Sequence, residues 1–405
     1  MTSTPITADT DTSATVPRVR GFWFIAFAFA VVMAFSAAPT PLYVLYQKRD
    51  GLSSFTVTVV FAVYAVGVVL SLFAAGHISD WVGRKRMIAW SLATDLVAGA
   101  VFLLPGLPAL VAARFVSGIS VGMLTATATA YLMELHTKAR PGAGRRRADL
   151  VATSANIGGI GLGPLVAGFL AEYAPRPLTV PYLVFEGLLA AGLIVTLSAH
   201  ETVTRRDVAW RPQRISVPSA ALGKYVAATA TAFAAFAIFG LFTSLTPGFL
   251  VGVLGQRSHA VAGLVTFGVF AAGVAGQFVM AKLALPVQLR TGLIALTVGL
   301  AVLIAGIWQP SFALFLTGGL LTGAGAGTAF KGAVATTITI AEPQARGEAL
   351  AGLFLSGYLG LALPVVGLGL AAQHLSTRNA VLYFAIVLVV LIVVAARPLL
   401  KPAAR

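Results

Sequence analysis

The sequence predicts an all-α membrane protein whose twelve transmembrane helices form two pseudo-symmetric six-helix bundles. The chain of 405 residues is 58% hydrophobic and 10% charged, whereas a soluble domain is about 25% charged. Uncharged runs such as 21–47 and 51–79 are longer than the roughly 20 residues that a helix needs to cross a bilayer. The alternating pattern of a transmembrane β-barrel is not seen in these runs. Helices that use lipid as their solvent are therefore expected.

Apolar runs and the breakers between them give the individual spans. The predicted limits are 21–46, 54–79, 87–104, 107–135, 148–172, 182–200, 225–250, 260–283, 291–307, 311–341, 347–372 and 379–396. The predicted organisation is a disordered cytoplasmic tail (1–20), an N-terminal bundle (21–200), a cytoplasmic linker (201–224), a C-terminal bundle (225–396) and a second cytoplasmic tail (397–405).

The distribution of Lys and Arg predicts the orientation. With the N-terminus in the cytoplasm, 21 of the 28 cations fall in cytoplasmic segments and five on the opposite side, as the positive-inside rule requires. This predicts a multi-pass protein of the inner membrane with both termini cytoplasmic. The basic residues that give the net charge of +15 are distributed according to membrane topology and do not cluster on one soluble module. No nucleic-acid partner is therefore expected.

The sequence lacks the signatures of metal sites, phosphate-binding loops and catalytic sites. The chain has no cysteine and five scattered histidines, so it shows no spacing typical of a zinc site. No phosphate-binding Gly-x-x-x-x-Gly-Lys-Ser/Thr loop and no paired catalytic constellation are visible. We therefore expect no metal, no cofactor and no enzymatic activity.

The two halves of the sequence resemble each other. A shift of 200 residues aligns Pro164 with Pro364 and Arg146 with Arg346, and the glycines of span four recur in span ten. Parallel six-helix halves with a substrate site between them are a recurrent design of secondary transporters.

The segment between spans two and three contains Gly76, Asp80, Gly83, Arg84 and Lys85. This pattern resembles the signature loop of the major facilitator superfamily, although Trp81 stands where that family usually has a cation. The resemblance implies a twelve-helix transporter in which this loop controls conformational change. An ordinary positively charged cytoplasmic loop is the alternative.

Two further stretches resemble motifs of the same superfamily. Arg114 followed by Gly118 and Gly122 in span four resembles its intramembrane arginine motif. Span five resembles the antiporter motif of the drug:proton branch, which implies that its small residues and proline act in conformational gating: Gly159, Gly163, Pro164 and Gly168. Simple helix packing is the alternative, because patterns of small residues are common at membrane interfaces.

Three ionisable residues in the N-terminal spans are candidates for proton coupling. By helix rise, Asp95 lies roughly 13 Å, Arg114 roughly 10 Å and Glu186 roughly 6–7 Å from the same membrane face. We expect Asp95 to pair with Arg114 in at least one state. A static ion pair that only accommodates Arg114 remains the alternative.

The candidates for substrate binding are aromatic, hydroxyl and amide side chains and one lysine in span ten. The predicted substrate-binding residues are Tyr43, Thr125, Asn156, Phe239, Phe242, Lys331 and Tyr358. Thr129, Thr243 and Phe330 are further candidates for the cavity wall. Such a wall suits an amphipathic organic molecule better than an inorganic ion.

The expected function is proton-coupled efflux of small amphipathic organic compounds or drugs by a monomer in the lipid bilayer. A dedicated transporter of a metabolite such as a sugar or organic anion is the alternative, since span one has no acidic residue and Lys331 could meet an anion. A membrane-embedded enzyme or a sensor without transport activity is a more remote alternative.

Overall fold

The computed structural model describes residues 12–75, 78–140, 142–203, 217–244, 246–342 and 345–400. Every regular element in these residues is helical. The helices of the N-terminal half are α1 (Thr12–Ala37), α2 (Tyr43–Asp50), α3 (Ser54–Ala75), α4 (Ser79–Val82), α5 (Arg84–Phe102), α6 (Leu107–Ala139), α7 (Arg146–Thr153), α8 (Gly159–Tyr173) and α9 (Val180–Leu197). Those of the C-terminal half are α10 (Leu222–Ser244), α11 (Thr246–Gly252), α12 (His259–Val279), α13 (Leu285–Trp308), α14 (Phe312–Ile340), α15 (Arg346–His374) and α16 (Thr377–Leu400).

These helices confirm the predicted membrane architecture. Within the described residues, eleven helical segments are long and apolar enough to cross a bilayer. The 19-residue helix α5 is a twelfth segment of membrane length, and its three N-terminal cations and Asp95 make it more polar than the others. The even number of spans places both ends of the described chain on one side, called here the termini side. The opposite side is called the far side.

The ends of the spans differ in detail from the predicted limits. Helix α1 begins at Thr12, inside the predicted N-terminal tail, and α16 continues to Leu400, inside the predicted C-terminal one. Most of the predicted linker, 204–216, lies outside the described residues. Span one is interrupted after Ala37 by a 3-10 turn, Thr40–Leu42. Pro39 precedes this turn and Pro41 lies inside it. A proline has no N–H for the helical hydrogen bond, so the two prolines account for the interruption.

Span five contains an irregularity that the sequence pattern did not predict. Residues Ser154–Gly158 form a π-helical turn between α7 and α8. Such turns are rare and frequently lie at functional sites. Pro164 lies inside α8, and its repeat partner Pro364 lies inside α15.

The two halves are packed closely together towards the far side. A Cβ added at Gly168 of α8 would lie 2.5 Å from the carbonyl oxygen of His259 at the start of α12. On the other side of the interface, Gly369 of α15 lies directly against the Thr58 side chain of α3. A hydrogen bond from the His259 N–H to Glu172 Oε2, 2.7 Å long, adds to the first contact. At the termini side, Arg146 and Asp149 at the start of α7 are exposed. This conformation therefore has a closed far side.

Candidate functional site

A cavity lies between the two halves, near the middle of the spans. Its wall combines side chains from α1, α3, α6, the π-helical turn and α8 with side chains from α10, α12, α14 and α15. The lining residues are Ser36, Ala37, Phe61, Tyr64, Arg114, Thr125, Asn156, Ile157, Ile160, Phe236, Phe239, Thr243, Phe270, Phe330, Phe354, Tyr358 and Leu361.

Aromatic rings contributed by four helices form most of the C-terminal wall. Phe330 of α14 lies edge-on to Phe236 of α10 at 5.1 Å between ring centroids, and Phe236 lies edge-on to Tyr358 of α15 at 5.5 Å. Phe239 stacks on Phe270 of α12 at 4.6 Å. Offset and edge-on pairs are the favoured arrangements of aromatic rings. Two sets of ring-to-ring contacts therefore hold the aromatic side chains of this wall in place.

Arg114 places a buried cation in the opposite wall. The residue is 1% exposed, and its Nη1 donates a hydrogen bond of 2.6 Å to the carbonyl oxygen of Ser36. Its guanidinium carbon lies 4.4 Å from the ring centroid of Tyr64 and 5.5 Å from that of Phe61. Cation–π contacts are strongest where water is excluded. The cation is thus stabilised by two rings and a carbonyl group.

The other polar groups of the wall are an amide and hydroxyls. Asn156 lies on the π-helical turn, and its side chain makes no hydrogen bond to any other of the described residues. The Thr125 hydroxyl donates to the Val121 carbonyl oxygen, and the Thr243 hydroxyl to that of Phe239. Since the threonine hydroxyls donate to their own helices, Asn156 has more free hydrogen-bonding groups for a ligand than these two threonines.

The structure brings some of the predicted binding residues to this cavity and not others. Thr125, Asn156, Phe239, Thr243, Phe330 and Tyr358 line it. Phe242 instead lines a separate cavity of the far side with Phe249 and Phe315. Tyr43 is 2% exposed at the start of α2 and does not contribute to the lining of the central cavity.

Lys331 also lies outside the lining of the central cavity. Its Nζ donates a hydrogen bond of 3.1 Å to the carbonyl oxygen of Gln277 on α12. Its electrostatic neighbours are Asp149 and Arg146 of the N-terminal half. Asp149 is a counter-charge that the sequence analysis did not consider, because the two residues belong to different spans and halves.

Asp95 and Arg114 do not form an ion pair in this conformation. Both carboxylate oxygens of Asp95 lack a hydrogen-bond partner in the protein, although the residue is 0% exposed. The hydroxyls of Ser117 and Ser120 of α6 are its polar neighbours, although neither meets the geometry of a hydrogen bond to it. Glu186 of α9 packs against Gly99 of α5, and its Oε1 also has no partner. The pairing predicted for another state stays a prediction.

The sequence analysis missed five aromatic residues of the cavity. Phe61, Tyr64, Phe236, Phe270 and Phe354 line it but lie in helices that are apolar on all sides. A spanning helix shows apolar residues both to lipid and to its neighbours, so hydrophobic periodicity cannot distinguish the two faces. The spacing of Phe236 and Phe239 in α10 is the one local signal that could have identified them.

Comparison with known proteins identifies the family. A family model described as "Major Facilitator Superfamily" matches residues 25–287, more than half of the chain. The chain belongs to the major facilitator superfamily. The matched model describes the superfamily as a whole, and the drug:proton branch is not distinguished by it.

Individual proteins match this chain only over a short stretch of sequence or with low sequence identity. A "Putative metabolite transport protein YwtG" of Bacillus subtilis (strain 168) is 34% identical over 102 residues, which cover 25% of this chain and 22% of the relative. Three solved structures share the fold. The nucleoside transporter NupG has a TM-score of 0.71 and 11% identity, covering 94% of this chain and 100% of that one. A bacterial homologue of the lysosomal transporter Spinster, in an inward-facing and unoccupied conformation, has a TM-score of 0.72 and 14% identity, covering 96% and 99%. A POT family transporter in complex with 5-aminolevulinic acid has a TM-score of 0.73 and 11% identity, covering 92% and 94%.

The superfamily's signature loop is tied to the end of span six. Gly83 has φ +116° and separates α4 from α5. The backbone N–H groups of Arg84 and Lys85 donate to the Glu201 carboxylate at 3.0 and 3.1 Å. A carboxylate at this position satisfies free N–H groups at a helix N-terminus. Gly76 and the side chain of Asp80 lie outside the described residues.

Arg84 also connects the loop to span four. Its guanidinium group makes an ion pair with Glu134 of α6 at 3.1 Å and donates to the Ser79 hydroxyl at 2.6 Å. Glu134 in turn accepts a hydrogen bond from the Thr202 hydroxyl. The signature loop, span four and the start of the linker are therefore one hydrogen-bonded unit.

The small residues of the motifs in spans four and five serve helix packing in this conformation. Gly163 of α8 lies against the Ala34 carbonyl group of α1, and a Cβ at Gly159 would lie 2.8 Å from that of Met33. On α6, Gly118 and Gly122 lie against the backbone of α3. The packing interpretation of these motifs agrees with these contacts, and their role in gating stays a prediction.

Proposed function

We propose that this superfamily member is a secondary active transporter that exports small amphipathic organic compounds in exchange for protons. The observation that carries the proposal is the central cavity. Its aromatic wall offers apolar surface for the body of an organic molecule, while Asn156 and Thr125 offer a few polar contacts. Ligand sites of this composition orient a largely apolar molecule with a small number of polar groups.

The conformation fits one state of alternating access. We propose, from the distribution of cations, that the termini side is cytoplasmic. The closed far side then corresponds to an inward-facing state, in which the cavity can take up substrate from the cytoplasm. Opening of the far side would require separation of Gly168 from His259 and of Gly369 from Thr58.

Proton coupling is proposed for Asp95, Arg114 and Glu186. Ionisable groups within the membrane are costly and usually functional. Asp95 is fully buried without a partner in the protein, and both Arg114 and Glu186 interact with it electrostatically. A change in those distances between two conformations would change the free energy of binding a proton.

A binding panel with a cavity variant tests the substrate class. Purified protein is screened by thermal shift with neutral, cationic and anionic amphipathic compounds, and proton release is recorded for the hits. Phe330→Ala removes a ring from the cavity, so we expect binding to weaken about tenfold or more, consistent with the loss of one aromatic contact of about 1.5 kcal/mol. The matched control is Phe169→Ala, which removes a ring that is 45% exposed on the outside of the bundle.

The outcomes separate the parts of the proposal. Equal affinity of both variants and the unmodified protein would place the binding site elsewhere. Binding without proton release in the unmodified protein would contradict coupling but leave the cavity assignment intact.

A dedicated metabolite transporter is the second candidate. The match to a putative metabolite transport protein favours it, as does the Arg114 guanidinium in the cavity wall. In that case the panel should yield one class of small polar metabolites, such as sugars or organic anions, and no binding of amphipathic drugs.

A further inference from the structure

A line of polar side chains crosses the N-terminal half behind the central cavity. Glu186 lies half-buried at the outer surface of the helix bundle, next to Leu183, which is 52% exposed. Its carboxylate contacts Gly99 of α5, and Asp95 lies one helical turn before Gly99 on the same face. Asp95 in turn lies near Ser117 of α6. One turn before Ser117, Arg114 reaches the wall of the central cavity.

These four residues contain most of the unsatisfied buried polar atoms of the described chain. Among the described residues, nine buried side-chain nitrogen or oxygen atoms have no hydrogen-bond partner in the protein. Five of the nine belong to this line: Asp95 Oδ1 and Oδ2, Arg114 Nε, Ser117 Oγ and Glu186 Oε1. The neighbouring hydroxyls of Ser91 and Ser120 are satisfied by each other, at 2.8 Å. More than half of the unpartnered buried atoms of the described residues therefore lie along this one line.

The residues at the centre of this line are buried, so their missing hydrogen-bond partners are energetically costly. Asp95 and Ser117 are both 0% exposed, and Arg114 is 1% exposed. Leaving a buried polar atom without a partner costs about 1–3 kcal/mol, and more if the atom is charged. Native proteins satisfy nearly all such atoms, and water or an ion takes the place of a missing protein partner. Unpartnered oxygen atoms on three neighbouring helices point to a hydrated path.

We infer that Glu186, Asp95 and Ser117 form a proton path from the far side of the membrane towards Arg114 in the wall of the central cavity, separate from the route of the substrate. Arg114 is a permanent cation without an acceptor site, so it ends the path and does not relay protons. Glu186 lies six residues after the far-side end of α9, a depth of roughly 9 Å. A proton from external water binds the Glu186 carboxylate and then passes to Asp95 through water. Each transfer breaks one O–H bond and forms another, and no other reactant is needed.

The charges around Asp95 suit a relay that depends on conformation. The titratable groups that interact with it electrostatically are Glu186 from α9, Arg114 from α6 and Tyr64 from α3. Arg114 and Tyr64 belong to the cavity wall, so a bound substrate can change their distance from Asp95. Protons could thus reach the coupling site from outside while the far side of the cavity is closed. This inference extends the proposed proton coupling, and it depends on that proposal for the direction in which protons move.

The absence of cysteine allows a direct test of water access. The unmodified chain contains no cysteine, so Ser117→Cys creates a single thiol in the middle of the path. We expect a small, charged, membrane-impermeant thiol reagent added from outside to label it in right-side-out vesicles. Reagents of this kind react with the thiolate, which forms only where water has access. The matched control, Ala128→Cys, places a thiol at another 0% exposed position of α6 and should not react.

A second variant tests the entrance. Adding Glu186→Leu to the Ser117→Cys protein should reduce the external labelling rate about tenfold or more, equivalent to an added barrier of about 1.4 kcal/mol. Thr377→Cys, at an exposed far-side position, should label equally with and without Glu186→Leu and so reports the orientation and folding of both proteins.

Three results would overturn the inference. These are no labelling of Ser117→Cys from outside while Thr377→Cys reacts, labelling only from the cytoplasmic side, or a rate unaffected by Glu186→Leu. None of them depends on substrate. A failure of this path is therefore distinguishable from a failure of proton-coupled transport, which the proton-release measurement tests.

Discussion

At the scale of single residues, the charges inside the membrane differ in how they are accommodated. Arg114 is contacted by two aromatic rings and the Ser36 carbonyl group and makes no ion pair in this conformation, although its Nε has no hydrogen-bond partner. Lys331 is stabilised by the Gln277 carbonyl group and faces Asp149 of the other half. Spacing along the chain suggested an Asp95–Arg114 pair. It could not reveal that carbonyl groups and rings would contact the cations instead, because those contacts come from other helices.

The position of Lys331 leads to a prediction about ligand charge. Lys331→Met removes a cation outside the lining of the central cavity, so we expect the affinity for neutral or cationic ligands to be unchanged or improved. Binding to the purified variant is measured by thermal shift with the same panel. Thr339→Met, at an exposed position of the same helix, is the control. Selective loss of anionic ligands by Lys331→Met alone would support the metabolite alternative, since a charge-pair contact contributes a few kcal/mol.

At the scale of helices and loops, the contact between the signature loop and the end of span six is a structural feature that local sequence did not reveal. Resemblance to the superfamily identified Gly83, Arg84 and Lys85 as a unit. Glu201, which accepts hydrogen bonds from two of their N–H groups, lies more than a hundred residues later. It has no counterpart in the motif that was recognised.

Loss of the Glu201 contact should weaken the start of α5. Glu201→Ala removes the acceptor for the Arg84 and Lys85 N–H groups, and loss of a helix cap typically costs about 1 kcal/mol. We expect a lower midpoint of thermal unfolding in detergent and faster proteolysis of the linker, with ligand affinity unchanged. Glu342→Ala, which removes an exposed carboxylate elsewhere, should have neither effect. Equal stability of the two variants would show that the contact contributes little.

At the scale of the whole molecule, the contacts of the two halves at the far side define the conformational state. Gly369 of α15 leaves room for the Thr58 side chain of α3. A larger residue at Gly369 cannot be accommodated while this interface is closed, because packed interiors tolerate little added volume. The same residue meets no obstacle once α3 and α15 have separated.

Gly369→Val should therefore favour the open far side. We expect an introduced thiol at Thr58 to react with external reagents faster in the Gly369→Val protein, by about fivefold or more for a shift of about 1 kcal/mol. Gly367→Val is a matched control on the same helix, because a Cβ at Gly367 meets no atom within 4 Å. If both variants label at the same rate, the Gly369–Thr58 contact does not govern closure of the far side.

The sequence by itself was enough to predict that lipid surrounds this protein, how many spans it has, its division into halves and its family resemblance. Charge content, the length of apolar runs and local motifs suffice for these, because each depends on residues that are neighbours in the chain. Tertiary structure alone decided which apolar faces meet the cavity and which meet lipid. It placed Phe236 and Phe354 in the cavity wall and Phe242 outside it, and it left Asp95 without the partner expected for it. In a bilayer, interior and exterior are both apolar, so the periodicity that reveals a buried face in water carries no such information here.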